Sequence, residues 1–149
     1  MKKILFLAIV TFAACSNNKQ LEQAQNLYQE AMEIHDAVMP RMDEMYKLRQ
    51  KLTLKLDSIS VDTIANTTRI AEYKKVLSDL AVAEKGMMDW MHNIQDVPGS
   101  SGTGAQTKEI LIEEVIKIQQ AQKIAVEQVR NKMEMCIAEG KNLIDLKNQ

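Results

Sequence analysis

Between Leu21 and Ile59 one class of side chain recurs at an alternating three-four spacing: Leu21, Ala24, Tyr28, Ala31, His35, Val38, Met42, Met45, Leu52, Leu56 and Ile59. Arg49 is the one interruption. Such spacing lays a narrow stripe along one face of a long helix, and the stripe must be covered by partner helices. Pro40 stands in the middle of it, removes a backbone donor, and predicts a kink or a break there.

The remaining chain supplies those partners. Residues 58–68 are rich in Ser, Thr, Asp, Asn and β-branched side chains, which favour turns and caps over helix interior. A first connection is therefore expected there, with Asp62 or Thr63 opening the second helix. That helix runs to about Ile94 on Ile70, Tyr73, Val76, Leu77, Leu80, Ala83, Met87, Trp90, Met91 and Ile94. Gly86 lies inside it, at a cost of about 1 kcal/mol relative to alanine, and is suited to close approach by a neighbour. Residues 97–104, rich in Gly, Ser and Pro, end the pattern. A third helix is expected from near Gly104 on Leu111, Val115, Ile118, Ala121, Ala125, Val129, Met133, Cys136 and Leu143. With few strand signals, the fold class is all-α: an antiparallel up-down-up bundle of three long helices, or of four if Pro40 breaks the first.

The amino terminus reads as an export signal. Lys2 and Lys3 precede an apolar run from Ile4 to Phe12, followed by Ala13, Ala14 and Cys15. That run is shorter than the roughly 20 residues of a spanning helix. Phe12-Ala13-Ala14-Cys15 resembles the lipobox of bacterial lipoproteins, with Phe12 standing where leucine is usual. The resemblance implies a signal peptide over 1–14, a lipidated Cys15, a short tether over 15–18 and a bundle domain over 19–149. Asn17 or Asn18 would cap the first helix. Without Lys2 and Lys3 the chain has 19 − 2 = 17 basic and 20 acidic residues, a charge of −3 that makes nucleic acid an unfavourable partner. Cys136 is the second of two cysteines, and an acylated Cys15 cannot pair with it.

Chemistry-bearing residues concentrate around Pro40. Taking Ser58 and Asp62 as level places His35 level with Lys85, facing the Gly86 to Met88 turn. Met32, His35, Met39, Met87, Met88, Met91 and His92 then share about three turns of the bundle. Thioether and imidazole suit Cu(I) in an exported protein. Methionine also fills irregular cores, and without a sustained Met-x-x-Met repeat the balance favours packing. Asp89 and His92 have the carboxylate-x-x-His spacing of di-iron bundles but lack the second pair and facing carboxylates. Gly99 to Gly104 has the glycine spacing of a phosphate loop, yet Ala105 and Gln106 replace Lys and Ser/Thr, and a turn with a Thr103 and Gln106 capping box is the simpler reading. Nothing pairs a nucleophile with a base, so no enzymatic role is expected. The same level counting puts Cys136 beside Thr63 as a buried seam thiol, and carries Leu143, Ile144 and Leu146 beyond the first turn as an apolar overhang suited to a partner or a second copy.

The stretch His35-Asp36-Ala37-Val38-Met39-Pro40-Arg41-Met42, with Met87-Met88-Asp89-Trp90-Met91, resembles small helical lipoproteins of Bacteroidetes, a group carrying the label "viral A-type inclusion protein" and no assigned activity. That resemblance implies two O-glycosylation acceptors of the Asp-Ser/Thr-apolar kind, Ser58 in Asp57-Ser58-Ile59 and Thr63 in Asp62-Thr63-Ile64. Ser16-Asn17-Asn18-Lys19 lacks the acidic run of surface-exported members, which implies the periplasmic face of the outer membrane. The functional expectation is a non-enzymatic, lipid-anchored bundle acting through protein contacts or self-association. The alternatives are a periplasmic Cu(I)-binding protein and a stress chaperone resembling the Spy-type helical proteins, whose Leu-Thr-x-x-Gln repeats are absent.

Overall fold

The computed structural model describes residues 13–62, 64–98 and 111–145, with side chains from Asn18 onward. It contains α1 (Ala13–Val38), α2 (Pro40–Ile59), α3 (Thr67–Asn93) and α4 (Ile112–Asp145), and no strand among the described residues. Pro40 kinks the first long helix at a single residue. Met39 keeps helical angles (φ −54°, ψ −38°) and its N–H still donates to His35 O at 2.9 Å, while Pro40, at the first position of α2, gives up only a donor. The bundle is therefore three long helices with the first one bent, as the stripe demands.

Cross-helix pairs establish the direction of each helix. Tyr28 with Asp96, His35 with Trp90 and Arg49 with Glu84 step down α3 as they climb α1 and α2, so these run antiparallel. Glu30 with Lys123 and Glu44 with Lys141 climb together, so α4 runs parallel to α1 and α2. The up-down-up order follows.

Most of the expected stripe is inside. Ala31, Val38, Met45 and Leu52 are buried with Tyr73, Val76, Leu80, Ala83, Met87 and Trp90 of α3 and Val126, Met133, Cys136 and Ile137 of α4. Where Arg49 interrupts the stripe, its neighbour Leu48 is buried instead, and Arg49 reaches Glu84 across the α2–α3 boundary. A second, smaller cluster joins Ala24, Val97 and Val115, with Leu21, Tyr28, Ile112 and Ile116 against it. Val97, just past the end of α3, thus fills the space between the leading halves of α1 and α4. Tyr28 fastens this end by donating from its hydroxyl to Asp96 Oδ1 at 3.0 Å; burial and that carboxylate raise its pKa.

Several boundaries and levels differ from the sequence expectations. Asn17 and Asn18 lie within α1 rather than capping it, and the residues expected as a tether are helical. Asp62 opens a turn, accepting from Ala65 N–H at 3.1 Å, and α3 starts five residues later at Thr67. That shift moves the level of His35 by the same amount, from Lys85 to Trp90. Helix α4 begins at Ile112, with Leu111 before it non-helical, rather than near Gly104. The later start draws α4 back along the bundle. Cys136 sits where Lys132 reaches Asp79 and Glu139 reaches Lys75, about two to three turns into α3 from its start at Thr67, whereas Thr63 lies outside the described residues. Leu143 and Ile144 pack on the main core and form no overhang; Leu146 lies outside the described residues. So do the Gly99 to Gly104 loop and the Thr103 and Gln106 box.

The buried seam of α4 is also rotated from the expected one. It passes through Val115, Gln119, Val126, Met133, Cys136, Ile137 and Gly140, whereas Ala121 is exposed and Ile118, Ala125 and Val129 are half-buried. Gly140 explains the close approach of α4 to α2: a Cβ there would stand 2.6 Å from Leu48 Cδ2. At Gly86 the same test meets only Val129 Cγ2 at 3.6 Å, an ordinary contact, so the expected need for close approach there is not met.

Ion pairs tie α4 to its neighbours and give the fold an acid limit. Glu44 is held below the usual carboxylate range by Lys141 at 2.5 Å and Arg41 at 2.8 Å. Asp79 is held low by Lys75 at 2.8 Å, with burial opposing and Lys132 at 3.5 Å assisting. Carboxyls depressed in the folded state contribute stability above their unfolded pKa and lose it as pH falls through the folded value. The thermal midpoint is expected to stay level from pH 7 to about 5 and drop below about pH 4. A Glu44→Gln/Asp79→Asn variant should start lower and lose less across that window, as scanning calorimetry would show. An unchanged acid slope would assign the loss to other groups.

Candidate functional site

At His35 and Trp90, α1, α3 and α4 meet through side chains of distinct chemistry. Their rings stack with centroids 5.5 Å apart and planes 25° from parallel. The stripe spacing turns His35 inward from α1, and the broad apolar face of α3 turns Trp90 to meet it. The indole N–H of Trp90 then donates to Gln122 O of α4 at 2.9 Å. One aromatic residue thereby holds three helices.

The polar surroundings of this crossing went unread in the sequence. Gln119 is buried; its amide donates to Gln95 O at 2.9 Å, and its Oε1 accepts from Gln122 Nε2 at 2.7 Å. Gln95 N–H donates back to Gln122 Oε1 at 2.5 Å. These bonds satisfy the backbone that leaves α3 and hold it against α4, which buried backbone polar groups require. The usable signal was the position of Gln119 four residues after Val115 and seven before Val126, on the seam.

His35 itself is polarised. Its Nδ1 lies 2.9 Å from Asp36 Oδ1, and a carboxylate only accepts, so Nδ1 is the donor and, in the neutral tautomer, the lone pair falls to Nε2. Nε2 is left with its lone pair, buried and without a hydrogen-bond partner among the described residues. Buried polar atoms of this kind are uncommon.

The other sequence-predicted residues divide. Met87 is fully buried, and Met32, Met39 and Met91 are half-buried against the same core that holds Trp90. Met88 is 56% exposed and His92 is exposed as well; at about 100° per residue they are turned by about 80° and about 120° from the mean direction of Met87 and Met91. The expected set of seven is thus five inward residues and two outward ones. Asp89 is taken up by Lys85 Nζ at 2.5 Å rather than by His92. Among the described residues no group of three His, Cys, Asp or Glu side chains converges. Cys136 is buried near Asp79, and burial pushes its thiol pKa up.

At the far end, Ser58 lies in the last turn of α2 with its hydroxyl donating to Lys55 O at 2.7 Å. Thr63 falls outside the described residues, between Val61 and Ile64, which are 90% and 91% exposed. On the outer face of α2, Tyr46 and Leu54, the latter 71% exposed, flank a shallow groove of about 420 Å³ with Arg49, Gln50 and Thr53. Cys15 lies in the first turn of α1. No described helix is long and apolar enough to cross a membrane. Comparison with known proteins finds no matching family model, no matching curated protein and no matching solved structure.

Proposed function

We propose that this chain is a non-enzymatic contact module of the cell envelope, anchored by a lipid on Cys15 and engaging a protein partner or a second copy through the outer face of α2. The observation that supports it most is Tyr46 and Leu54, large apolar residues left exposed on either side of the α2 groove while the core-facing stripe of the same helix is filled. Clustered exposed apolar surface of this kind marks interaction sites more often than scattered single residues do. Val61 and Ile64 add an apolar tip at the end of the bundle away from Cys15. The anchor rests on the Phe12-Ala13-Ala14-Cys15 sequence and its preceding signal. Ser58, in the last turn of α2, and Thr63 are acceptors for sugar in the same reading.

Two measurements test this. Membrane fractionation should find the native chain in the envelope pellet and Cys15→Ala in the soluble fraction. A photo-crosslinking residue at Tyr46 or Leu54 should give one discrete adduct in cells, whereas the same residue at exposed Glu113 should give none. Equal adducts at all three positions would sink the contact face, and an unanchored native chain would sink the envelope reading.

A further inference from the structure

We infer that the His35–Trp90 crossing is a binding site for a soft monovalent metal ion, Cu(I), with His35 Nε2 and thioethers of both α1 and α3 as donors. This goes beyond the contact face on α2 and stands independently of it. Three observations carry it.

The first is the tautomer of His35. Asp36 accepts from Nδ1–H, leaving Nε2 as a lone pair. A carboxylate behind one nitrogen fixes the ring and raises the basicity of the other, which is how metal-binding histidines are held in place. A buried nitrogen left unpaired costs free energy, which an ion bound at Nε2 would offset.

The second is the thioether sulfur that the helices bring to this part of the core. Met32 and Met39 lie three residues before and four after His35, on the same face of α1, and Met87 and Met91 share one face of α3 with Trp90 between them. All four belong to the core on which the His35 ring rests. Thioether sulfur and imidazole together select Cu(I) over Zn(II) or the hard cations.

The third is Trp90. Its indole face lies against the imidazole, and an indole face is the π-surface best able to stabilise a cation brought near it. A monovalent ion suits a site with no carboxylate among its inward donors. Met88 and His92, on the outward face, take no part.

The test is an anaerobic Cu(I) titration against a chromogenic competitor, using the full chain in detergent micelles with Cys15→Ser and Cys136→Ala to remove thiol binding. The expected result is one Cu(I) per chain, with quenching of the single tryptophan. His35→Phe keeps the stack on Trp90 and should abolish both signals, with circular dichroism confirming the fold. Met32→Leu/Met39→Leu and Met87→Leu/Met91→Leu conserve side-chain volume, and each should weaken binding at least tenfold. Met88→Leu/Met135→Leu, on exposed positions, should leave it unchanged. No binding by the parent, undiminished binding in His35→Phe or in either inward pair, or equal loss in the exposed pair would overturn the assignment.

Discussion

Trp90→Ala is expected to lower the unfolding free energy by about 3–5 kcal/mol, the range for removing a buried large aromatic side chain. The residue is almost fully buried, stacks on His35 of α1 and donates to Gln122 O of α4, so truncation opens a void where three helices meet and removes a hydrogen bond between α3 and α4. Trp90→Phe separates these contributions. It retains an aromatic face for His35 but loses the N–H, and should cost about 1–2 kcal/mol. Urea unfolding followed by circular dichroism measures both. Equal costs would mean that the indole N–H, rather than the ring, holds the crossing together.

The second large effect is at Gly140. Valine there places a Cβ 2.6 Å from Leu48 Cδ2 and 3.1 Å from Leu48 Cγ, before its methyl groups are counted. Helix α4 must move away from α2 or Leu48 must leave its pocket, and overpacking of this kind costs about 2–3 kcal/mol. Leu48→Ala should absorb much of the penalty, so the two substitutions in one chain should cost clearly less than their sum. Gly86→Ala is the internal control. Its Cβ meets Val129 at ordinary distance, and the gain in helix propensity should stabilise the protein by about 0.5–1 kcal/mol. Similar losses at both glycines would show that α4 is not seated against Leu48.

The contrast between these glycines shows what the sequence made legible. Gly86 stood inside a strongly periodic helix and was read as a point of close approach; Gly140, in the less regular end of α4, is the one that needs to be small. Periodicity located the helices of the bundle and nearly every buried residue of α3, because apolar burial on one face is a local pattern. Register was less legible. It depends on where a helix begins, and the caps of this chain are poor guides: Asn66 precedes α3 without a side-chain cap bond, while Asp62 closes a turn ahead of it. A five-residue error there put Lys85 where Trp90 belongs.

The candidate site was legible in part for the same reason. His35 and four of its methionines were recognised by spacing, and Met88 and His92 were included because level counting ignores which way a side chain faces. The amides of Gln119 and Gln122 were missed. Polar residues on a buried seam look like errors in the stripe until the carbonyl they serve, that of Gln95, is seen to come from the segment that leaves α3.

The helical run of α1 has a mechanical consequence. From Ala13 to Val38 it contains neither glycine nor proline, and its kink at Met39 preserves the hydrogen bond back to His35. A lipid on Cys15 would then be attached to a stiff mast rather than a leash. The exposed tip at Val61 and Ile64 would stand roughly 65 Å along that mast, at 1.5 Å per residue. Such a bundle can tilt about its foot but cannot bend back on itself, so its tip sweeps an arc of fixed radius and meets partners far from the bilayer only when it stands upright.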